Sequence, residues 1–316
     1  MAKIRLIGGV NKIKHKTWTL DNYIGRRNHI LIRRCCGGLG DLFMHRMIFE
    51  DFKLLCPEIR ITFACPKEYH QTVEDHPFID ELIDHEEADI SNFLAHYDTS
   101  TICGQVEMGL APKSGPHRSD IWANACGIEL TRHNMHFRIT SQEKQTAREQ
   151  LDAIGRKGKS VLIAPISAIY SKNLDDGQWG HVIKELQAMG HFVFGSHKAF
   201  ISNFNAPQIV GKNIRNFMAI VDAADYVITV DSAAFHMAGG LGKPMVGVFG
   251  WSDGKVYGKY YTNWELVQRH RDNGNWDCGP CYCWGNCPKS NDNRKPCMTE
   301  IKGEEIVQAF RKLEKA

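Results

Sequence analysis

The chain lacks any apolar run approaching the length of a membrane span. It lacks a strong excess of one charge: the net value is +3, too small to argue for nucleic acid. No basic stripe makes up for that; the basic residues from Lys12 to Arg34 are the only candidate, so no nucleic-acid partner is expected. The segment Met1–Val10 has neither the apolar core nor the cleavage site of a signal peptide. That points to the cytoplasm, with a peripheral contact at the inner face of a membrane left open. No short internal repeat is visible.

What is present is ordinary in bulk and unusual in places. The 316 residues suffice for two domains, and 43% apolar with 24% charged residues suits a soluble globular protein. There are 11 cysteines. Six are scattered between Cys35 and Cys126 and read as reduced thiols; five crowd between Cys278 and Cys297.

Apolar runs of strand length alternate with helical periodicity, which predicts an α/β fold with parallel sheets. Residues 1–27 are a polar, basic extension. The first domain, 28–155, opens with a strand at His29–Arg33. The glycine turn Cys35-Cys-Gly-Gly-Leu-Gly40-Asp41 follows, then a helix over Leu42–Leu55 and a strand at Ile59–Ala64. Further strands are expected at Glu81–Asp84, Thr99–Cys103 and Met135–Ile139, and a short helix at Ser119–Cys126. Thr140 to Glu143 has capping-box spacing and starts a helix reaching Ile154. Gly155-Arg-Lys-Gly158-Lys159 is the expected domain boundary.

The second domain, 159–298, restarts the alternation. Strands are expected at Ser160–Ile166, His191–Phe194, Pro207–Val210, Tyr226–Val230, Met245–Phe249 and Glu265–Val267. Helices are expected at Gln178–Met189, Ile214–Ala224 and Ser232–Leu241. A last amphipathic helix runs over Thr299–Leu313, within a C-terminal segment 299–316. Two doubly wound halves make a cleft between them the expected ligand site.

The stretch Asp231 to Pro244 is a strand, turn, helix and strand in sequence. Asp231 or Ser232 would cap the helix, and its first N–H groups suit a phosphate. His236 lies one turn in, on the face of Ser232. Taken alone, the same pattern also describes a capped core helix with a satisfied histidine.

Several segments carry a resemblance. They are Gly37-Gly-Leu-Gly40-Asp41; Pro165 through Ser171-Lys172 to Trp179; Asp231-Ser232-x3-His236-x-Ala238-x3-Gly242-x-Pro244 with Phe249-Gly250; and Cys278-x2-Cys281-x5-Cys287-x9-Cys297. In this order they resemble the ADP-heptose:lipopolysaccharide heptosyltransferases, glycosyltransferase family 9. The resemblance begins near residue 28. It implies a GT-B fold with two Rossmann-like domains, the acceptor mainly on the first and the donor nucleotide on the second. It implies inversion without a catalytic metal, an ADP-heptose or related nucleotide-sugar donor, and a lipopolysaccharide-core, glycan or lipid-linked glycan acceptor. Three positions depart from the family's usual pattern: Ala233 replaces a glycine, Lys172 stands farther than usual from Trp179, and Trp251 replaces a frequent proline.

Inverting transfer needs a base, charge neutralisation on the leaving diphosphate, and alignment. Position alone leaves Asp41 open between base and helix N-cap; the resemblance favours the base. The backbone at Gly40 lets a substrate approach. Lys172 is either a phosphate contact or a solvated loop lysine. Ser232, the N–H groups of Ala233 and Ala234, and His236 would supply the helix-start side, with Asp231 beside them. Ser171 and Ser167 are weaker hydroxyl candidates. Ser196 lines the nucleotide site or belongs to a plain loop. Asp175-Asp176 reads as solvated charge, and no Asp-x-Asp pair stands at a strand end. Cys278, Cys281, Cys287 and Cys297 have the spacing of a structural zinc or iron site, with Cys283 to spare; free thiols or labile disulfides are the alternatives. Their distance in sequence assigns them to stability. A non-catalytic nucleotide-sugar or glycan-binding protein and a GT-B epimerase are the competing functions.

Overall fold

A computed structural model describes residues 28–196, 204, 206–269, 278–282, 287, 290 and 295–315. The expected N-terminal extension and Cys283 lie outside them. The chain forms two compact units. The described part of Met1–Val106 joins Pro116–His136 in one; Glu107–Gly115 joins Phe137–Ala316 in the other. Among the described residues no helix is long and apolar enough to cross a membrane.

The first unit holds a four-stranded parallel sheet in the order β3-β2-β1-β4. Its strands are β1 (His29–Arg33), β2 (Arg60–Cys65), β3 (Glu81–Asp84) and β4 (Ala95–Asp98). β4 is a polar edge strand, half exposed along its length. That polarity is why the β-branched run Thr99–Cys103 reads as the strand in sequence instead; the ladder ends with Thr99 N–H on Arg33 O, and a helix spans Ile102–Leu110. The helix expected over Leu42–Leu55 is two helices, Leu39–His45 and Phe49–Leu55, joined by a 3-10 turn at Arg46–Ile48. Arg46 is fully buried there. It donates to the carbonyls of Thr72, Met135 and His136 and pairs with Asp75 at 2.8 Å. Met135–Ile139 is accordingly no strand. Two of its carbonyls are taken by a side chain, and His136 has a left-handed φ of 52°.

The second unit holds a five-stranded parallel sheet in the order β6-β5-β7-β8-β9. Its strands are β5 (Ser160–Ala164), β6 (Phe192–Gly195), β7 (Tyr226–Val230), β8 (Met245–Phe249) and β9 (Trp264–Gln268). β5, β7 and β8 are buried at every residue, as a sheet covered on both faces requires. Pro207–Val210 contributes a single bridge, Gln208 to Gly195. The capping box at Thr140–Glu143 forms, and the helix it starts, Ser141–Ala153, packs on the helix Ile214–Ala223. Glu143 pairs with Arg215 and Gln150 accepts from Asn216. These contacts tie Ser141–Ala153 to the second unit, whereas the sequence reading placed it before the boundary. Asp175 is not solvated charge: with Gln178 it forms a second capping box on the helix Asp176–Ala188. The C-terminal helix is Gly303–Lys315, preceded by a short turn of helix at Pro296–Thr299. Ile306, Val307, Phe310 and Leu313 form its buried stripe.

Candidate functional site

In the first sheet, β2 and β3 lie on one side of β1 and β4 on the other. Open parallel sheets take ligands at the carboxyl ends of such a pair. The loop leaving β1 meets the loop leaving β4 there: Cys35 N–H donates to Ser100 Oγ at 2.9 Å. Gly37 has φ +105°, a conformation that L side chains rarely adopt. A Cβ on it would also strike the Arg34 guanidinium and stand 2.6 Å from Asp41 Oδ2.

That space belongs to an ion cluster. Asp41 Oδ2 accepts from Arg34 Nη2 at 2.7 Å, and Oδ1 pairs with Arg118. Arg34 is nearly buried, lies over the Trp122 ring at 4.8 Å and donates to Thr99 O at 3.0 Å. Asp41 is not the helix cap. The helix begins at Leu39 after Gly38, Gly40 sits in its first turn, and Asp41 is the acidic residue of that turn. The positive end of the helix dipole further favours its charge. One turn on, His45 is wholly buried with Nε2 at 3.1 Å from Thr99 Oγ1. Burial, and then the Arg34 charge, push its pKa well below the ordinary histidine value, so this imidazole stays neutral at neutral pH.

In the second sheet the equivalent point lies between β5 and β7. Lys172 ends a 3-10 turn, Tyr170–Lys172, in the segment leaving β5. Asp231 directly follows β7, and Ser252 follows β8. Lys172 Nζ is 2.7 Å from Asp231 Oδ2, which also accepts from Ser252 Oγ at 2.5 Å. Lys172 is therefore no solvated loop lysine; its side chain is 14% exposed. Burial is the largest single influence on Asp231 and raises its pKa; the lowering influences outweigh it only together. With the hydrogen bonds from Lys172 and Ser252 and the His236 charge, Lys172 holds the carboxyl below its usual range.

Ser232, not Asp231, caps the helix Ala233–Gly240: its Oγ accepts from Ala234 N–H at 3.2 Å and contacts Thr229 Oγ1 at 3.0 Å. The Ala234 N–H is thus engaged within the protein, and Ala233 heads the helix. His236 Nδ1 meets Tyr261 Oη at 2.8 Å, both residues buried. Burial pushes the Tyr261 phenol well above its ordinary value. Ser171 is buried in the same turn as Lys172. Ser196 follows β6, donating its N–H to Ile163 O at 3.1 Å.

Cys278, Cys281, Cys287 and Cys297 line one pocket together with Trp251 and Lys295. Among the described residues none of the four is joined in a disulfide. Burial pushes Cys297 up to about 12, with the neighbouring cysteines adding to the rise. Among the described residues no group of three or more His, Cys, Asp or Glu side chains is arranged to hold a metal ion. Distant in sequence, the pocket is close in space to the Lys172–Asp231 pair: its wall, Trp251, adjoins Ser252.

Sequence reasoning missed Arg34, Arg118, Ser252 and Tyr261. Arg34 and Ser252 carried a signal, since each stands within a few residues of a strand's carboxyl end. Arg118 and Tyr261 reach their partners only through tertiary packing.

A model of the family described as glycosyltransferase family 9 (heptosyltransferase) matches residues 118–275. That span includes the Lys172–Asp231 site and stops short of Asp41. No curated protein matches the chain. Solved structures do. A glycosyl transferase family 9 protein from Veillonella parvula DSM 2008 is 15% identical over 91% of this chain and 97% of its own, with a TM-score of 0.65. The ADP-heptose lps heptosyltransferase II of E. coli is 13% identical over 91% of this chain and 100% of its own, TM-score 0.67. TibC, a bacterial iron-containing dodecameric glycosyltransferase from enterotoxigenic E. coli H10407, is 18% identical over 90% of this chain and 76% of its own, TM-score 0.69. At these identities the likeness is one of fold, and it is the α/β GT-B fold that the sequence led us to expect.

Proposed function

The chain belongs to glycosyltransferase family 9 (heptosyltransferase) and is a glycosyltransferase; from that premise we propose that it moves heptose or a related sugar from an ADP-linked donor onto a lipopolysaccharide-core or other glycan acceptor, with inversion and without a catalytic metal. The observation that carries this reading is the Lys172 ammonium held 2.7 Å from Asp231 where the second sheet reverses its winding. A cation fixed at a sheet's switch point, beside a helix start, is suited to a diphosphate.

In the proposed reaction Asp41 accepts the proton of the acceptor hydroxyl. The acceptor's hydroxyl oxygen bonds to the anomeric carbon from the face opposite the donor phosphate. The bond from that carbon to the β-phosphate oxygen breaks, and its electron pair leaves with ADP. Lys172 and the helix start at Ser232 and Ala233 stabilise the charge that develops there. Ser171, Ser196 and His236 line the nucleotide side, and Asp231 keeps Lys172 in place. On this reading the first unit serves the acceptor and the second the donor. A lipid-linked acceptor would bring the protein to a membrane face, which vesicle co-sedimentation tests.

The deciding experiment follows ADP release from ADP-heptose, with and without EDTA, in the wild type and Lys172→Met. We expect turnover to survive EDTA and Lys172→Met to lose affinity for ADP. Unchanged ADP affinity in that variant would overturn the reading.

Cys278, Cys281, Cys287 and Cys297 make up, in this proposal, a structural zinc or iron site. Four thiols facing one pocket have the soft donor chemistry those metals take, and iron is named for TibC. Bound metal would draw the thiols together and pin the segment; it supplies no step of the reaction. Elemental analysis should find about one metal per chain, lost in Cys281→Ser.

A further inference from the structure

We propose that Trp251 is a positioning residue of the donor site: held in place from the cysteine-lined pocket, its indole fixes the Lys172 ammonium. This rests on the reading of Lys172 as the diphosphate contact.

The argument begins with the four residues leaving β8, Phe249-Gly250-Trp251-Ser252. Trp251 is only 3% exposed, yet its neighbours are not those of an ordinary core tryptophan. Two ammonium groups lie against its ring, Lys172 at 5.0 Å and Lys295 at 4.6 Å from the centroid. A desolvated indole attracts cations through its quadrupole, and for a lysine on a flexible stem it adds a second restraint to the Asp231 carboxylate.

The backbone of Trp251 is anchored from the other side. Its carbonyl accepts from Cys281 N–H at 3.0 Å and from Tyr282 N–H at 3.3 Å. Gly250 leaves no room for movement toward the pocket: a Cβ there would stand 2.6 Å from Met298 Sδ and 3.1 Å from Cys297 Sγ. The next residue, Ser252, donates to Asp231, the counter-ion of Lys172. Two consecutive residues therefore hold both members of the ion pair. Their own position is set by the segments carrying Cys281, Cys297 and Lys295. Disturbance of the pocket would reach Lys172 through this strap without any pocket residue touching the donor.

The test measures ADP affinity by calorimetry, with inorganic pyrophosphate in parallel, in Trp251→Leu, Trp251→Phe, Lys295→Met and Lys172→Met, each checked by its melting curve. Donor and acceptor KM are measured alongside. Loss of the indole should weaken ADP binding about 3- to 30-fold and raise the donor KM while leaving the acceptor KM unchanged. Trp251→Phe, which keeps an aromatic face, should recover part of the loss. Lys295→Met, at a pocket residue whose ammonium lies against the ring, should weaken binding in the same sense. In a Lys172→Met background, Trp251→Leu should cost no further affinity, since it acts through the missing ammonium.

Full additivity of those two substitutions would overturn the proposal, as would equal rises in donor and acceptor KM. Should Trp251→Leu fail to fold, the Trp251→Phe and Lys295→Met cycles with Lys172→Met decide alone. A Lys172→Met protein that binds ADP and pyrophosphate like the wild type would sink the donor-site reading itself. Loss there with a silent Trp251 would sink only this inference.

Discussion

At the switch point of the first sheet the central group is a carboxylate, Asp41, between two guanidinium groups. At that of the second it is an ammonium, Lys172, against one carboxylate and one indole. The folds around them are alike: both groups follow the strand next to the reversal, and both lie mostly out of solvent. Their electrostatic redundancy differs. Asp41 can lose either arginine and remain paired. Asp231 is 4% exposed, and losing Lys172 takes away the one ion pair shown for it, leaving the Ser252 hydroxyl and His236 as weaker support. The first site is therefore built to keep its charge through a change of partner. The second is built to hold its charges in one place.

Substitution of the central group in each site probes this contrast most severely. Asp41→Asn keeps the size but only one of the two acceptor oxygens that the arginines use, and it removes the proposed base. We expect kcat to fall about 10²- to 10⁴-fold, with ADP affinity in calorimetry unchanged. A variant with near-normal kcat would strip the first site of its chemical role. Lys172→Met should act on stability as well as on ADP affinity, because it leaves Asp231 buried without its cation, at a cost of about 3–5 kcal/mol. Lys172→Met with Asp231→Asn should regain most of that stability in denaturant melts and none of the ADP affinity. Arg34→Met should cost less, about 1–3 kcal/mol, since Arg118 remains on Asp41.

How these two sites were legible in sequence follows from what each is made of. The Ser232 cap, the strands around it and the place of Lys172 and Asp41 after strands are local, and local spacing revealed them. So are both capping-box helices, although Asp175 reads as surface charge in sequence because a cap and a solvated acid look the same before the helix start is known. The arginine clamp on Asp41 was hidden. Arg118 lies 77 residues away, and nothing in its own neighbourhood marks it. The strand expected at Met135–Ile139 failed for a similar reason: a distant side chain, Arg46, claims the carbonyls that a ladder would use. The apolar pattern was read correctly; the competitor for its backbone could not be seen.

The glycine turn offers a milder probe. Gly37→Ala forces a Cβ into a left-handed residue and into the Arg34–Asp41 contact. Backbone strain of this kind costs about 1–3 kcal/mol. The second site has no counterpart, since Ala233 already occupies the position where the family's usual pattern has glycine. A Gly37→Ala protein should lose kcat with little change in ADP affinity. Loss of both in equal measure would mean that the two sites are not separable.

The smallest effect concerns the pH limits of the second site, where both titrating groups are buried. Asp231 has a depressed pKa in the folded protein, so the unfolded chain binds its proton first as the pH drops. Its contribution to stability is complete above the ordinary carboxylate value and disappears as the pH falls through the folded one. Tyr261 acts at the other end. Its folded pKa lies well above that of a free phenol, so the unfolded chain releases the proton first, and stability declines as the pH rises beyond about 10. Tyr261→Phe removes the hydrogen bond to His236 Nδ1, at about 0.5–1.5 kcal/mol near neutrality, and also removes that alkaline decline. Melting curves from pH 7 to 11 should therefore converge for the two proteins at the alkaline end. Parallel curves would show that the phenol does not titrate against folding, and that His236 is held by packing instead.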